Sequence, residues 1–291
     1  MFIYAILIIT IVVLEIYSMY RKFLWLIPVV VLVLAAIYFV FFDNQTAELP
    51  VYDEKIEVEG DLYQLVFYDD FEGDKLNKNY WSLCPEQKRQ DMDGSWDDSM
   101  ISLDGKGNLV ITSDILKGKP VSGAIRSKGK FEQARGYFEI RCRLQSVKGF
   151  WGAFWLMCGK ESSIGNGAKD GAEIDIFESN NIIGQINHAI HWDGYGEHFQ
   201  SISHSTMIPE CYDGEFHKFA LLWTDKEYIW YIDGKETYRL SEGDDKFPGS
   251  NEVPTYLKIS SEFGSWAGVY DISELPDDIL VDYVKVYKKF D

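Results

Sequence analysis

The sequence predicts an all-β fold, an antiparallel sandwich or barrel, for most of the chain. Runs such as "GYFEIRCRL" and "YIWYIDGKE" alternate apolar and polar residues or are rich in aromatic and β-branched residues, as strands are. Turn formers such as "LDGKGN" and "VKGFWG" separate these runs, and no long amphipathic helical pattern interrupts them. Many short strands over residues 62–291 are typical of a sandwich or barrel.

The N-terminal residues differ sharply from the rest and predict a membrane anchor. Residues 23–42 carry no charge, and a helix of that length spans about 30 Å, one hydrocarbon thickness. This run is longer than a signal peptide's apolar region, and no small-residue cleavage site follows it. An earlier apolar stretch is interrupted by Glu15, so the chain forms either one span or a hairpin. The alternative is a buried soluble hairpin.

The basic pair Arg21–Lys22 orients this anchor. Because positive residues stay on the cytoplasmic side, the remainder of the chain is expected outside the cell. The expected organisation is therefore a membrane anchor over 1–42, a polar linker over 43–61 and a β-domain over 62–291.

Charge and cysteine content restrict the possible partners. Beyond residue 42 the chain holds 45 of the 46 acids and 26 of the 28 bases, a formal charge of −19. Nucleic acid and anionic lipid would be repelled, so a neutral substrate is expected. The four cysteines have no spacing typical of a zinc site and allow up to two disulfides.

The segment "EIDIFES" at 173–179 carries the chemistry. On a regular strand Glu173 and Asp175 share one face, whereas Glu178 falls on the other face with the isoleucines. A β-bulge at 176–177 would bring all three acids to one surface, because it opposes two residues to one. Two carboxyls at one surface are what a retaining glycosidase needs, one as nucleophile and one as acid/base. Solvent-facing acids and a calcium site are the simpler alternatives.

These residues resemble a known family. "GAEIDIFES" is similar to the E-x-D-x-x-E signature of glycoside hydrolase family 16, in the β-bulge form of its laminarinase-like members. The resemblance extends over "LVFYDDFEGDKLNKNYWS", "SGAIRSKGKFEQARGYFEIRCRLQSVKGFWGAFWLM", "FHKFALLWTDKEYIWYIDGKETY" and "LPDDILVDYVKVYKK". The family's W-P-A-F-W motif has Gly152 in place of proline here.

The resemblance implies an antiparallel β-jelly-roll sandwich of the concanavalin A-like type, with a substrate cleft across one sheet. It implies that Glu173 is the nucleophile, Asp175 its electrostatic partner and Glu178 the acid/base. It places His191 on the next strand beside the acid/base glutamate, with His188 as a second candidate. The expected substrate-binding residues, each with a core or surface ion-pair alternative, are Trp155, His191, Trp192, Trp151, Arg126, Trp266 and Trp96.

No cofactor is expected for catalysis, but the resemblance implies a structural Ca²⁺ near Asp70, Gly136 and Asp282. Alternation alone would also put Asp282 on a solvent face. The expected activity is retaining hydrolysis of β-1,3- or mixed β-1,3/1,4-glucan outside the cell. A β-galactan hydrolase of the agarase or carrageenase type, a transglycosylase and a non-catalytic glycan-binding protein are the alternatives.

Overall fold

The computed structural model describes residues 50–84, 94–160, 163–180 and 184–290. The first ten strands are β1 (Lys55–Val58), β2 (Asp61–Asp69), β3 (Ser82–Leu83), β4 (Ser95–Trp96), β5 (Ile101–Leu103), β6 (Leu109–Leu116), β7 (Lys119–Ser122), β8 (Ala124–Arg126), β9 (Glu132–Gln133) and β10 (Gly136–Arg143). The others are β11 (Phe150–Met157), β12 (Glu173–Ser179), β13 (Gln185–Trp192), β14 (Gln200–Met207), β15 (His217–Trp223), β16 (Glu227–Ile232), β17 (Lys235–Ser241), β18 (Thr255–Phe263) and β19 (Asp277–Lys289). The helical elements of this part of the chain are four short 3₁₀ turns at Asp98–Met100, Pro209–Tyr212, Ser265–Ala267 and Ile272–Glu274.

The strands form two sheets. The larger has eleven strands in the order β17-β16-β15-β10-β19-β6-β7-β4, with β2 also paired to β19, β1 to β2 and β5 to β6. The smaller has eight strands in the order β14-β13-β12-β11-β18-β8-β3, with β9 paired to the end of β18. All pairs are antiparallel except β4 with β7. Strand β12, which carries the three acids, is an interior strand of the smaller sheet.

The core fills the space between the two sheets. The rings of Phe177 on β12 and Phe219 on β15 lie 4.3 Å apart, and both are fully buried. Alternation on β11 sends Phe154 and Leu156 into this core and turns Trp151 and Trp155 to the opposite side. That side, facing away from the larger sheet, is called the cleft face below. The all-β sandwich predicted from the strand pattern is confirmed, and the barrel alternative is wrong.

The predicted linker boundary is wrong in part. Residues 55–58 of the expected 43–61 linker form β1, which pairs in antiparallel register with β2 from Lys55–Gln64 to Val58–Asp61. Ile56 and Val58 pack on a second apolar cluster of the larger sheet, and this burial draws the segment into the fold. Four residues of alternating character were too short a signal to distinguish from a polar tether.

The predicted membrane anchor over 1–42 lies outside the described residues. Among residues 50–84, 94–160, 163–180 and 184–290, no helix has the length and apolar character needed to cross a bilayer. All four cysteines are within the described ranges and buried, and Cys84, Cys142 and Cys211 are free thiols.

Candidate active site

Strand β12 has a β-bulge between Asp175 and Glu178. On β13 the partners of these two residues are Ala189 and Asn187, so two residues of β12 stand opposite one residue of β13. Both residues inside the bulge, 176–177, are buried in the core. The extra residue restores Glu178 to the cleft face, and the predicted bulge is confirmed.

The first two acids form a charged cluster with a histidine of the neighbouring strand. Glu173 pairs directly across the sheet with His191. The His191 Nε2 atom lies 3.1 Å from Asp175 Oδ2 and 4.0 Å from Glu173 Oε1. Burial opposes the charged imidazole, but Asp175 and the charges of Glu173 and Glu178 outweigh it and raise the pKa of His191 to about 9. At neutral pH His191 is therefore a cation between two carboxylates.

Glu178 occupies a different environment from the other two acids. Burial raises the pKa of Glu178 to about 8, and the negative charge of Asp175 adds to the rise. Asn187 Nδ2 donates a hydrogen bond of 2.8 Å to Glu178 Oε2 and opposes it. The hydroxyl of Ser205 donates to Asn187 Oδ1 at 3.0 Å, which fixes the amide with its nitrogen toward the acid. Glu178 thus carries a proton at neutral pH and has a donor aimed at it.

A loop between β13 and β14 closes one side of the acid cluster. The Tyr195 hydroxyl donates a short hydrogen bond to Glu173 Oε2. The Phe199 ring stacks on His191 with centroids 5.5 Å apart, and Tyr195 stacks on Phe199 at 6.2 Å. Both aromatic rings stay substantially exposed. They form an open aromatic surface directly beside the acids.

The cleft itself has a volume of about 200 Å³ and unites side chains of four strands and this loop. Its lining residues are Trp151, Ala153, Trp155, Glu173, Asp175, Glu178, His191, Tyr195, Phe199 and Glu262. Trp155 Nε1 donates to Ser260 Oγ at 3.0 Å, and the Lys258 ammonium lies 3.6 Å from the Trp155 ring centroid. These contacts hold the indole in one orientation at the cleft wall.

The remaining predicted sugar-binding residues are arranged outward from this wall. Trp266 packs edge-to-face on Trp151 at 5.3 Å and is 43% exposed at the rim. Trp96 is buried and lies within 4.5 Å of the Lys258 ammonium. Arg126 pairs with Lys258 across β8 and β18, two strands beyond β11. The structure therefore groups Trp151, Trp155 and His191 at the acids, with the other three farther along the sheet.

Two predicted placements on β13 need correction. Trp192 alternates with His191 and packs against the core between the sheets, so it lies on the face opposite the cleft. His191 lies beside Glu173 and Asp175, whereas Asn187 stands across from Glu178. The antiparallel register already pairs Glu173 with His191, so Glu178 meets an earlier residue of β13, and the bulge makes that residue 187 rather than 186.

The three positions expected to hold calcium do not fit one ion. Gly136 begins β10, whereas Asp282 forms an ion pair of 2.5 Å with Arg141 near the other end of that strand. Five residues of strand separate Gly136 from Arg141, about 16 Å at 3.3 Å per residue. Asp70 follows β2 and accepts a hydrogen bond from the backbone of Glu72. Gly136 and Asp282 are too far apart to contact the same ion.

Among the described residues, one group of three or more side chains has metal-ligating geometry, and it is Glu173, Asp175 and His191. Their ligand atoms all lie within 4.8 Å of one another. The neighbouring acids raise the pKa of His191 to about 9, so a metal bound through this imidazole would have to displace its proton at neutral pH. The arrangement suits charge balance between acids better than ion binding.

The departure at Gly152 has a local reason. The Gly152 backbone nitrogen donates to Ser179 Oγ at 3.1 Å, and a Cβ there would lie 2.3 Å from Ile279 Cδ1. Proline would lose the donor and add atoms where none fit. A proline at position 152 would therefore require the end of the Ile279 side chain to move and would lose the hydrogen bond to Ser179.

A larger cavity of about 530 Å³ lies elsewhere, between the 74–83 segment and β5. Three lysines, one acid and several leucine and isoleucine side chains line it. None of the β12 acids reaches it, and it contains no pair of carboxyls suited to acid/base chemistry. Size alone does not mark the reactive site here.

Four functional residues at the cleft escaped the sequence reasoning: Asn187, Tyr195, Phe199 and Glu262. Glu262 is 5% exposed and pairs across the sheet with Trp151. An acid in the strand-like run "YLKISSEF", whose only other charged residue is Lys258, was the available signal. Tyr195 and Phe199 lie on a loop, where no periodicity predicts direction.

Comparisons with known proteins agree with this architecture. The family model described as glycosyl hydrolases family 16 matches residues 88–285. A keratan-sulfate endo-1,4-β-galactosidase of Sphingobacterium multivorum is 27% identical over 241 residues, covering 78% of this chain and 55% of that protein. Glucan endo-1,3-β-glucosidase A1 of Niallia circulans is 26% identical over 263 residues, covering 77% and 38%. The chain spans about half or less of the length of these two curated relatives.

Solved structures show the same fold over most of the described domain. A laminarinase from Flavobacterium sp. UMI-01 is 26% identical with a TM-score of 0.66, covering 77% of this chain and 100% of that one. The laminarinase catalytic domain of Thermotoga maritima is 25% identical with a TM-score of 0.65, covering 79% and 99%. The family-model match includes well over half of the chain, together with its three acids. This chain therefore belongs to glycosyl hydrolases family 16.

Proposed function

We propose that this protein is a retaining endo-β-glycanase that cleaves a β-linked polysaccharide by double displacement. The observation that carries the proposal is the β12 bulge, which turns Glu178 to the same face as Glu173 while keeping their environments different. Glu178 is protonated at neutral pH because burial raises its pKa to about 8. The Tyr195 hydroxyl and the His191 cation both stabilise negative charge on Glu173.

In the first step a Glu173 carboxylate oxygen attacks the anomeric carbon as Glu178 gives its proton to the departing glycosidic oxygen. The C–O bond to the leaving sugar breaks and a glycosyl ester to Glu173 forms. In the second step the Glu178 carboxylate takes a proton from water, whose oxygen attacks the anomeric carbon. The ester bond breaks, and Glu173 leaves as a carboxylate, with Glu178 again protonated.

Asp175 and His191 influence the charges of the reacting groups in both steps. Asp175 keeps Glu178 protonated before attack through like-charge repulsion. The His191 cation lies 3.1 Å from Asp175, and this ion pair holds the negative charge of Asp175 in place. Asp175 Oδ2 faces His191 Nε2 in this ion pair, and His191 Nδ1 is buried without a further hydrogen-bond partner in this structure.

For the substrate we propose a β-1,3- or mixed β-1,3/1,4-glucan. The glucan endo-1,3-β-glucosidase and β-glucanase relatives support this assignment. The open rings of Tyr195 and Phe199 and the wall indole of Trp155 offer the apolar surfaces that sugar C–H groups pack on. A linear neutral polymer lying across the strands would contact them in turn.

A β-galactan is the second candidate. The keratan-sulfate endo-1,4-β-galactosidase relative matches 78% of this chain at 27% identity, as extensive a match as the glucanase relatives give. Lys258 and Arg126 are neighbours across β18 and β8, and they place two positive charges on the cleft side of the sheet. The same catalytic residues would serve either polymer, and transglycosylation would differ only in the acceptor that replaces water.

We further propose that residues 23–42 anchor the protein in a membrane with the β-domain outside. The uncharged length of this segment and the basic pair before it support the proposal. Fractionation should place the full chain with membranes, and protease added to intact cells should degrade the β-domain. A chain that is found only in the soluble fraction would contradict the anchor.

The test of the activity is reducing-sugar release by the full chain on laminarin, lichenan, agarose, carrageenan and keratan sulfate. A Glu173→Gln variant is the control for each polymer. Proton NMR of the first products should show the β-anomer before mutarotation, since double displacement retains configuration. Release of the α-anomer first would contradict the mechanism, and equal activity in the control would contradict the assignment of Glu173.

A further inference from the structure

The bulge of β12 leaves two backbone carbonyls pointing into the core, away from the strand ladder. The Asp175 carbonyl accepts a hydrogen bond of 3.0 Å from Trp230 Nε1, which belongs to β16 of the larger sheet. The Ile176 carbonyl lies 2.7 Å from His188 Nδ1 on β13. A bulge normally leaves its extra residue unpaired, and a buried unpaired carbonyl is costly. Two core side chains satisfy both groups.

These two side chains and Thr237 form one unit, defined here as the core brace. The rings of His188 and Trp230 stack at 5.8 Å, and both residues are essentially inaccessible to solvent. His188 Nε2 lies 2.9 Å from the Thr237 hydroxyl on β17. The Ile176 carbonyl can only accept, so the neutral ring carries its proton on Nδ1. Nε2 is then an acceptor for the Thr237 hydroxyl, whose single proton is shared with the Trp230 carbonyl 3.2 Å away. This arrangement makes full use of the donors and acceptors of the imidazole.

We propose that His188 and Trp230 are positioning residues that hold the β12 bulge and thereby aim Glu178 and Asp175 into the cleft. Without the bulge, a one-residue shift of register would send Glu178 toward the core, because strand side chains alternate faces. The two braced carbonyls belong to the residues at which the shift occurs. The catalytic part of this inference rests on the proposed glycanase activity.

A purely structural role would also explain buried, satisfied polar groups. The two roles differ in what a variant should lose. A structural residue contributes to the stability of the whole domain, whereas a bulge-positioning residue contributes to turnover by the molecules that remain folded. The chain offers a matched control for this distinction.

That control is Trp223, on the strand next to Trp230. Both tryptophans are fully buried in the larger sheet, and each donates a hydrogen bond of 3.0 Å from its Nε1 atom. The acceptor of Trp223 is the Ser250 hydroxyl, away from β12, whereas the acceptor of Trp230 is the Asp175 carbonyl. Replacing either residue by phenylalanine removes one donor and a similar volume.

The test compares Trp230→Phe, His188→Leu and His188→Asn with Trp223→Phe in the full chain. In Trp230→Phe and His188→Leu, kcat per folded molecule should fall roughly 10- to 100-fold with KM within about twofold, as expected when reacting groups shift by about 1 Å. Trp223→Phe should lower the melting temperature similarly and keep the wild-type kcat. His188→Asn, whose amide reaches the place of Nδ1, should recover most of the turnover. Wild-type kcat in both Trp230→Phe and His188→Leu would overturn the proposal.

Backbone amide exchange over 173–179 gives a readout that does not depend on turnover. In Trp230→Phe and His188→Leu the amides of this segment should exchange faster than in Trp223→Phe. Equal protection in all variants would overturn the proposal that the core brace holds the bulge. A wild-type chain that cleaves no polymer would refute the proposed activity and leave the exchange result to decide the brace. An active wild type with unaffected variants would refute the brace alone.

Discussion

The two faces of β13 place two histidines three residues apart in opposite chemical environments. His188 faces the core, where burial lowers its pKa to about 4. His191 faces the cleft, where Asp175 and its neighbours overcome burial and raise the pKa to about 9. One imidazole is neutral and hydrogen-bonds to the backbone of the bulge, and the other is charged and balances the negative charges of Glu173 and Asp175. The comparison shows that the side of the sheet, more than residue type, decides the chemistry.

The largest expected effect comes from the acids of the cleft face. Glu178→Gln should lower kcat on the polysaccharide roughly 10²- to 10⁴-fold, because the leaving sugar loses its proton donor. The first step on an aryl glycoside with an acidic phenol should be affected far less, since that group leaves without assistance. Steady-state and burst kinetics on both substrates measure the difference.

Glu173→Gln is the matched variant for that comparison. It should abolish turnover on both substrates, because no carboxylate remains to form the glycosyl ester. Equal residual activity of Glu173→Gln and Glu178→Gln on the aryl glycoside would contradict the division of roles between the two acids.

The second effect separates the histidines by the pH dependence of stability. The folded pKa of His191 lies above its unfolded value of about 6.5, so its contribution is present below pH 6.5 and lost as pH rises through about 9. The folded pKa of His188 is depressed to about 4, so its contribution to the free energy of unfolding is present above pH 6.5 and is lost as the pH falls toward about 4. Each change in the free energy of unfolding is at most about 3 kcal/mol.

Urea unfolding between pH 4 and pH 9 tests this assignment. His191→Gln should reduce the loss of stability at alkaline pH, and His188→Asn should reduce the loss of stability at acid pH. Glu178 also has a raised pKa near neutral pH and loses its contribution as pH rises through about 8, so Glu178→Gln is measured in parallel. The reverse pattern, with His188→Asn changing the alkaline side, would refute the contrast between the two faces.

A third, smaller effect concerns the aromatic surface beside His191. Phe199→Ala should raise KM roughly 2- to 10-fold with little change in kcat, if a sugar ring stacks there with the usual 0.5–1.5 kcal/mol of aromatic packing. Phe290→Ala removes a similarly exposed phenylalanine from the end of the larger sheet and should leave KM unchanged. Equal KM in both variants would exclude Phe199 from substrate binding.

The smallest effect sharpens the environment of the acid/base. Asn187 lowers the pKa of Glu178 through its hydrogen bond, so Asn187→Ala should move the alkaline limb of the kcat/KM profile to higher pH. Ser205→Ala removes only the hydrogen bond that orients the Asn187 amide. It should therefore move the alkaline limb to higher pH by a smaller amount than Asn187→Ala does. A shift to lower pH would show that Asn187 does not stabilise the carboxylate.

The acidic strand could be predicted because its pattern breaks a local rule. Three acids among apolar residues require either a bulge or a buried charge, and the bulge is what the structure contains. The cross-strand neighbours were harder to predict, because the register of β13 against β12 is not a local property of either strand. That register pairs His191 with Glu173 and Asn187 with Glu178, and alternation on β13 then turns Trp192 to the core.

The fold class, the family resemblance and the three acids could be predicted from the amino-acid sequence, because strand alternation, turn formers and spacing are local properties. Which residues meet those acids depends on how the two sheets pack. Tyr195 and Phe199 reach them from a loop, and Trp230 reaches the bulge from the opposite sheet, 55 residues away in sequence. The physical reason is that packing two sheets together joins segments whose separation along the chain carries no periodic signal.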